Sequence, residues 1–478
     1  PVRMLDTLTE QLRTGTDLTA EHITEAVEQM TAETVTPEAK ADFLTALAEK
    51  GETADELAAF ASELRARATA VPLDDTTRAG IILDVCGTGG DGLNTFNIST
   101  TVAILCAAAG VTVAKHGNRA ITSKSGSADV LTALGIPTDL SPADAATSIA
   151  EHGFAFLFAP LYHPAFKHIA PARKLCAERG QRTLFNFLGP LLNPAKPTAQ
   201  LIGVPRAELT EPMAKVLQSL GIARGMVVSG CAGDGRMDEL STLGDNTIAE
   251  FYQDRGFATA TLSPADLPLV PATLDDLAGG DAETNAGIIR SILAGETQGP
   301  KREAVLLNTG AALFVANAAD SISAGMDLAA TVIDDGRATA KLAAVEGSAA
   351  AGGAGARSSI SFVASASWPH AALMSCPNSS RSRTRRPPSM ITLPKALHDS
   401  MEGASKPCSV AVTFGLYGMR LSITGLPTPA IALSRVKFCM LRAPTCRQSM
   451  SWSRKAGSCD ASMISETTGM PDESPAAF

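Results

Sequence analysis

A hydrophobic strand that runs into glycines, Ile81-Ile82-Leu83-Asp84-Val85-Cys86-Gly87-Thr88-Gly89-Gly90-Asp91-Gly92, constrains this chain more than any other stretch. Glycine has no Cβ, so its backbone enters positive φ and approaches a ligand closely, and successive N–H groups can converge on an anion. Between Asp91 and Asp129 there is no Asp or Glu, while Lys115, His116, Arg119 and Lys124 all fall there. In a chain with 49 acidic and 40 basic residues, that interval is one where a phosphate meets no repulsion.

The second half of the pattern is a helix start. Asn97-Ile98-Ser99-Thr100-Thr101 opens the apolar run Val102 to Ala109, which Gly110 closes. Short polar side chains there are expected to cap the helix, and its free N–H groups favour an anion. Val111 to Ala114 reads as a second buried strand that delivers Lys115-His116-Gly117-Asn118-Arg119 at its carboxyl end, the edge at which open α/β sheets bind ligands. The glycines also fit G-x-G-x-x-G. A dinucleotide site, however, needs a helix that starts inside the glycines and an acidic residue about 20 positions on. Here the helix signals begin at Asn97 and the next strand ends at Lys115, which excludes the nicotinamide reading and keeps the phosphate one.

Residues 1–75 read as helices only. Leu5, Leu8 and Leu12 recur at helical spacing, Thr36-Pro37-Glu38 offers a cap and a first-turn proline, and Thr53-Ala54-Asp55-Glu56 is a capping box before Leu57, Phe60 and Leu64. From Gly80 strands and helices alternate. Strands are expected at 154–159, 199–204 and 225–229, helices at 142–151, through Lys174, and at 212–220, and a hairpin at 247–251 and 258–262. Helices at 285–293, 302–316 and 324–342 close the pattern. The fold class is therefore α/β, a small N-terminal helical domain (1–75) followed by a larger domain (76–345) with a mainly parallel sheet covered by helices.

The remaining residues, 346–478, have another character. Residues 351–478 carry a net charge of +8 and residues 1–350 one of −17, together the −9 of the chain. The last segment holds 22 serines and both tryptophans, Trp368 and Trp452, and runs such as Ser379-Ser380-Arg381-Ser382-Arg383. It reads as a disordered tail with the composition of translation out of frame, and with an aggregation-prone stretch around Val410 to Leu421. Of nine cysteines, Cys86, Cys106, Cys176 and Cys231 are scattered through the folded part, the usage of a reducing compartment. With no signal-peptide core and no run near the roughly 18 apolar residues of a membrane span, a cytoplasmic location without membrane contact is expected.

Taken together, Gly87-Thr88-Gly89-Gly90-Asp91, Asn97-Ile98-Ser99-Thr100, Lys115-His116-Gly117-Asn118-Arg119 and Ser125-Gly126-Ser127-Ala128-Asp129 resemble the signature of the anthranilate phosphoribosyltransferase family over about residues 1–345. That resemblance implies a nucleoside phosphorylase-like phosphoribosyltransferase fold and a homodimer. It implies transfer of the phosphoribosyl group of phosphoribosyl pyrophosphate to the amine of anthranilate in tryptophan biosynthesis, with Mg²⁺, two per monomer.

Residue by residue, it assigns phosphoribosyl pyrophosphate to Gly87, Gly90, Asp91, Thr95, Asn97, Ile98, Ser99, Thr100, Lys115, His116, Gly117, Asn118, Arg119, Ala120, Ile121, Thr122, Ser123 and Ser127. Thr122 stands where relatives commonly have serine. Anthranilate is assigned to Gly87, Asn118 and Arg173, and metal to Ser99, Asp238 and Glu239. Lys115 and the metal-bound groups are expected to stabilise charge, with no certain catalytic acid or base. Taken alone, adjacent carboxylates such as Asp238-Glu239 are more often a solvated surface pair, and a helix-borne arginine such as Arg173 is more often a surface residue. His116 and His163 have supporting roles, and Gly189-Pro190-Leu191-Leu192-Asn193-Pro194 reads as a rigid turn shaping the aromatic pocket.

Two alternatives remain. A pyrimidine nucleoside phosphorylase has similar architecture but lacks the Lys115 to Arg119 run. A non-enzymatic nucleic-acid-binding relative needs a basic groove, against which the net −17 of residues 1–350 argues, so no nucleic-acid partner is expected.

Overall fold

The computed structural model describes residues 4–120, 124–253 and 256–347, together with the strand segments of a separate C-terminal unit between residues 360 and 465. The chain begins with four helices, α1 (Met4–Arg13), α2 (Ala20–Thr31), α3 (Pro37–Lys50) and α4 (Ala54–Ala66). Their starts follow local chemistry. Thr36 accepts from the Ala39 N–H with Pro37 in the first turn, and Thr53 and Glu56 close a reciprocal capping box. Leu5, Leu8 and Leu12 pack with Ile23, Val27, Phe43, Leu47, Phe60 and Leu64 in a cluster that also takes in Ile169, Ala172, Leu188, Leu191 and Leu192. The helical domain thus has no closed core of its own and shares one with a later part of the chain.

A short helix, α5 (Asp75–Ala79), leads into the sheet strands β1 (Ile82–Gly87), β2 (Thr112–Gly117), β3 (Phe154–Phe158), β4 (Ala199–Gly203), β5 (Arg224–Ala232), β6 (Gly235–Met237), β7 (Asn246–Tyr252) and β8 (Gly256–Leu262). The order is β3-β2-β1-β4-β5-β7-β8, with β6 paired to β5. Neighbours from β3 to β5 run parallel, and β7 and β8 add an antiparallel edge. Connecting and covering helices are α6 (Ile98–Ala108), α7 (Ser127–Ala133), α8 (Pro142–His152), α9 (Ala159–Tyr162), α10 (Ala170–Glu178), α11 (Phe185–Leu188), α12 (Thr210–Ser219), α13 (Ala282–Leu293), α14 (Pro300–Val315), α15 (Ile322–Asp334) and α16 (Arg337–Val345). Helix α6 is buried along nearly its whole length, as a helix apolar on all sides must be. No helix of the described residues is long and apolar enough to cross a membrane.

The structure departs from the sequence reading in three places. The helix expected over 324–342 is two helices, broken where Gly336 adopts φ +83°. Strand β2 runs on through Lys115, His116 and Gly117, so these residues belong to the sheet itself. A strand the pattern did not reveal, β6, folds back on β5 through Gly230↔Met237 pairing and aims the following residues at the sheet edge.

The C-terminal unit divides from the rest near Gly353. Its described backbone is six strands, β9 (Ile360–Phe362), β10 (Ser409–Phe414), β11 (Met419–Thr424), β12 (Val436–Cys439), β13 (Gln448–Lys455) and β14 (Ser458–Ser465), paired in sequence order. The disordered tail expected over 346–478 falls for the most part on residues that lie outside the described ones. The stretch around Val410 to Leu421 falls within the β10–β11 pairing.

Candidate active site

Four of the five parallel strands, β3, β2, β1 and β4, end at one edge, with Gly87 in register with Gly203 and Gly117 with Phe158. Strand β6 brings Asp238 over this edge so closely that a Cβ on Gly87 would lie 2.0 Å from Asp238 Oδ2, and one on Gly203 would lie 1.4 Å from the Asp238 carbonyl. Only glycine fits at either position. The Gly89 N–H donates to Asp238 Oδ2 at 2.7 Å and the Thr88 N–H to the Gly203 carbonyl at 2.9 Å. Two amides of the glycine loop therefore fasten it to the carboxylate and to β4.

Oxygens of Asp91, Asp238 and Glu239 lie within 4.8 Å of one another. Burial, together with the Asp91 charge, pushes Asp238 up to about 7. Glu239 is raised by burial and by both neighbours, and its buried Oε2 has no hydrogen-bond partner. Crowded, desolvated carboxylates with an orphaned oxygen suit a hard divalent cation that takes oxygen ligands, so the donor set fits Mg²⁺. Asp91, assigned from sequence to the phosphoribosyl donor alone, joins this cluster. Ser99 lines the same small cavity as Asp238, Glu239 and Val85, and its hydroxyl accepts from Lys115 Nζ at 3.4 Å. The buried Lys115 also donates to the Val85 carbonyl at 2.6 Å. Its pKa is lowered by burial and partly restored by the nearby acids.

Asn97 does not cap α6 with its side chain, which corrects the sequence reading. Its Nδ2 donates to the Ser125 carbonyl at 3.1 Å and its Oδ1 accepts from Asn285 at 2.8 Å, a stitch between two loops and α13. Ile98 and Thr100 are buried, and Thr95 bridges to Ala278, so these three support the loop. Gly90 takes φ +83° at the exposed turn. The segment after β2 is organised by Asp129, which accepts from the Ala120 and Gly126 N–H groups at 2.9 and 3.0 Å and pairs with Arg119 at 3.0 Å. Asn118 Oδ1 accepts from the Arg119 N–H, and Ser127 Oγ donates to the Asn118 carbonyl at 3.2 Å. Ile121, Thr122 and Ser123 lie outside the described residues.

On the other flank the Arg173 guanidinium stacks over Phe185 at 5.3 Å. Phe185 meets Phe166 edge-on at 5.7 Å, Phe166 lies 5.1 Å from His163, and His163 lies 5.3 Å from His116. Arg173 therefore belongs to an aromatic row, away from the open surface that a lone helical arginine implies. Burial lowers His116 to about 3 and His163 to about 4, so both rings are neutral near pH 7. Each has a buried Nε2 without a partner.

Sequence reasoning missed Asp84, wholly buried on β1. It accepts from Asn193 Nδ2 at 2.9 Å and from the His116 N–H at 3.3 Å, and burial raises it to about 6. A charged residue inside an apolar strand was the available signal.

Family models match residues 79–339, as a glycosyl transferase family a/b domain, and residues 6–68, as a glycosyl transferase family helical bundle domain. The chain is 48% identical over 300 residues to an anthranilate phosphoribosyltransferase of Alkaliphilus metalliredigens, covering 63% of this chain and 85% of that one. To that of Moorella thermoacetica it is 47% identical over 343 residues, covering 72% and 97%. Among solved structures, the Thermus thermophilus enzyme of that name aligns with TM-score 0.65 at 40% identity, covering 71% of this chain and 98% of that one. The Saccharomyces cerevisiae enzyme in complex with PRPP and Mg aligns with TM-score 0.64 at 27% identity, covering 72% and 97%.

Proposed function

The chain belongs to the anthranilate phosphoribosyltransferases, and on that footing we infer that it transfers the phosphoribosyl group of phosphoribosyl pyrophosphate to the amine of anthranilate, a step of tryptophan biosynthesis. The observation that carries this reading is the gathering of Asp91, Asp238 and Glu239 beside a loop interval free of acidic residues. A cation-binding cluster next to an anion cradle matches a donor that arrives as a magnesium pyrophosphate.

In the reaction the bond from the anomeric carbon to pyrophosphate breaks, the amine nitrogen bonds to that carbon, and the amine gives up a proton. Ser99, Asp91, Asp238 and Glu239 would hold Mg²⁺, two ions per monomer in this reading, which when bound would supply positive charge to the departing pyrophosphate. The chain's own groups set the geometry. Lys115, within β2, holds the Ser99 hydroxyl, the Asp129-organised segment offers Asn118 and Arg119 to the donor, and Arg173 offers its fork to the anthranilate carboxylate. His116, assigned from sequence to the phosphoribosyl donor, is read here together with His163 as facing the acceptor: both are neutral with an Nε2 that has no partner and can accept hydrogen bonds from the amine. An arylamine already presents its lone pair, so no strong base is required. A homodimer is part of the same reading, as is action in the cytoplasm, which the free Cys86, Cys106, Cys176 and Cys231 support.

The test is loss of anthranilate fluorescence on mixing the protein with phosphoribosyl pyrophosphate and Mg²⁺. Consumption that needs all three components is expected. A folded protein that consumes nothing overturns the reading.

A further inference from the structure

The 3₁₀ turn Gly189–Leu192 has every one of its carbonyls claimed by a side chain from a different element. Gly189 O accepts from His116 Nδ1 at 3.2 Å, Pro190 O from Gln200 Nε2 at 2.6 Å and Leu191 O from Arg65 Nε at 3.1 Å. Leu192 O bonds His163. Because a carbonyl can only accept, His116 carries its proton on Nδ1, which leaves the buried Nε2 as an acceptor without a partner. The turn therefore fixes the tautomer of His116 and the orientation of both histidines, and one of the four groups that hold the turn, Arg65, comes from the helical domain.

A second cation of that domain acts alike. Lys40, 2% exposed, donates to the Ala32 carbonyl at 2.7 Å and to the His168 carbonyl at 2.9 Å. His168 lies between His163 and Arg173 on the segment that carries both. Each cation reaches a main-chain oxygen of the α/β domain rather than a carboxylate, so each fixes a backbone position.

The packing follows the same division. Residues of α1–α4 share a core with Ile169, Ala172, Leu188, Leu191 and Leu192 on the Arg173 and histidine flank, and also with Ile202, Val204, Val227 and Phe251 of the sheet and Leu217 of α12. The core behind the glycine loop and α6 starts at Leu83 and contains none of them among the described residues.

We propose that Lys40 and Arg65 are positioning residues for the acceptor half of the site, setting His116, His163 and Arg173 for the amine-bearing aromatic acid through the His168 and Leu191 carbonyls, while the phosphoribosyl donor half stands independently of them. The proposal rests on the transferase reading above. A purely adhesive role for the two cations predicts losses shared by both substrates. A positioning role predicts losses confined to one.

The experiment is steady-state kinetics of Lys40→Met and Arg65→Met beside the wild type, varying each substrate with the other saturating. Either variant is expected to raise the KM for anthranilate about tenfold, the effect of losing one buried charge-assisted hydrogen bond. The KM for phosphoribosyl pyrophosphate and the Mg²⁺ titration should stay at wild-type values. Equal rises in both KM values, or no rise in either, overturn the proposal. If the methionine variants do not fold, Arg65→Lys and Lys40→Arg, which keep the charge but shift the donor, are held to the same criterion with a smaller rise in the anthranilate KM. A wild type that consumes no anthranilate refutes the transferase reading instead, so the two failures are distinguishable.

Discussion

Asp238 is placed where its charge costs most, buried beside two other acids and pressed against the backbone of β1 and β4. A carboxylate in such a position lasts because a cation or a proton compensates it. Asp238→Asn keeps the shape and the acceptor for the Gly89 N–H while removing the charge. The Mg²⁺ concentration for half-maximal rate is expected to rise about tenfold, and a titration superimposable on wild type would remove Asp238 from the metal site. His163 supports a prediction of opposite sign. Folded, it titrates near 4 against 6.5 for a free ring, so between those values the unfolded chain takes up a proton that the folded chain refuses. Stability is therefore full above pH 6.5 and falls as pH drops toward 4. Urea unfolding near pH 7.5 and near pH 5 should show His163→Phe losing about 2 kcal/mol less than wild type across that interval, and equal losses would refute the assignment. Glycine spacing and the acid-free interval made the loop at the sheet edge legible at this scale. The joining of Asp91 to Asp238 and Glu239 was not, because residues so far apart meet only through the return of β6. Nor was the neutral state of His116 and His163, which depends on the burial that the turn at 189–192 completes.

At the scale of elements, local chemistry made starts legible and left breaks hidden. Thr53 and Glu56 announce α4 because a capping box lies within four consecutive residues. Gly336 interrupts what reads as one apolar period because only its left-handed backbone, φ +83°, ends α15 and begins α16. The pair α14 and α15 makes a sharper case. A Cβ on Gly325 would lie 2.5 Å from the Gly310 carbonyl, and one on Gly310 would lie 2.5 Å from the Ile322 carbonyl. The two helices touch backbone to backbone, and α14 also carries Asn308, which donates to the Leu240 carbonyl at 2.8 Å and accepts from the Leu240 N–H at 2.9 Å. This places the loop after Asp238-Glu239. Gly325→Ala must push the helices apart, which costs about 1–3 kcal/mol, and the shift passes through Asn308 toward the metal side. Thermal unfolding should show a lower midpoint together with a raised Mg²⁺ requirement. A variant as stable as wild type would show that the helices part without cost.

At the scale of the whole chain, the question is where the catalytic unit ends. Helix α16 belongs to it, since Ala338, Leu342 and Val345 sit in the core around α6, the helix whose first turn bears Ser99. Lys341 Nζ donates to the His152 carbonyl at 2.6 Å, and the Gly347 N–H donates to the Gly135 carbonyl at 3.2 Å. These contacts carry the boundary one residue past Glu346, where the change in composition begins. The family-model match stops at residue 339, so similarity alone places the end inside α16. A chain ending at Gly347 keeps every one of these contacts and loses the strands from 360 onward. It is expected to retain wild-type kcat and both KM values, and light scattering on it should give the mass of a dimer. A chain ending at Asp335 loses three buried side chains from around α6, each worth about 2–5 kcal/mol for the larger ones, and is expected to be insoluble or inactive. If the longer truncation is also inactive while the full chain works, the six C-terminal strands contribute to the enzyme, and the composition shift near 350 marks a functional addition to a fold that closes by Gly347.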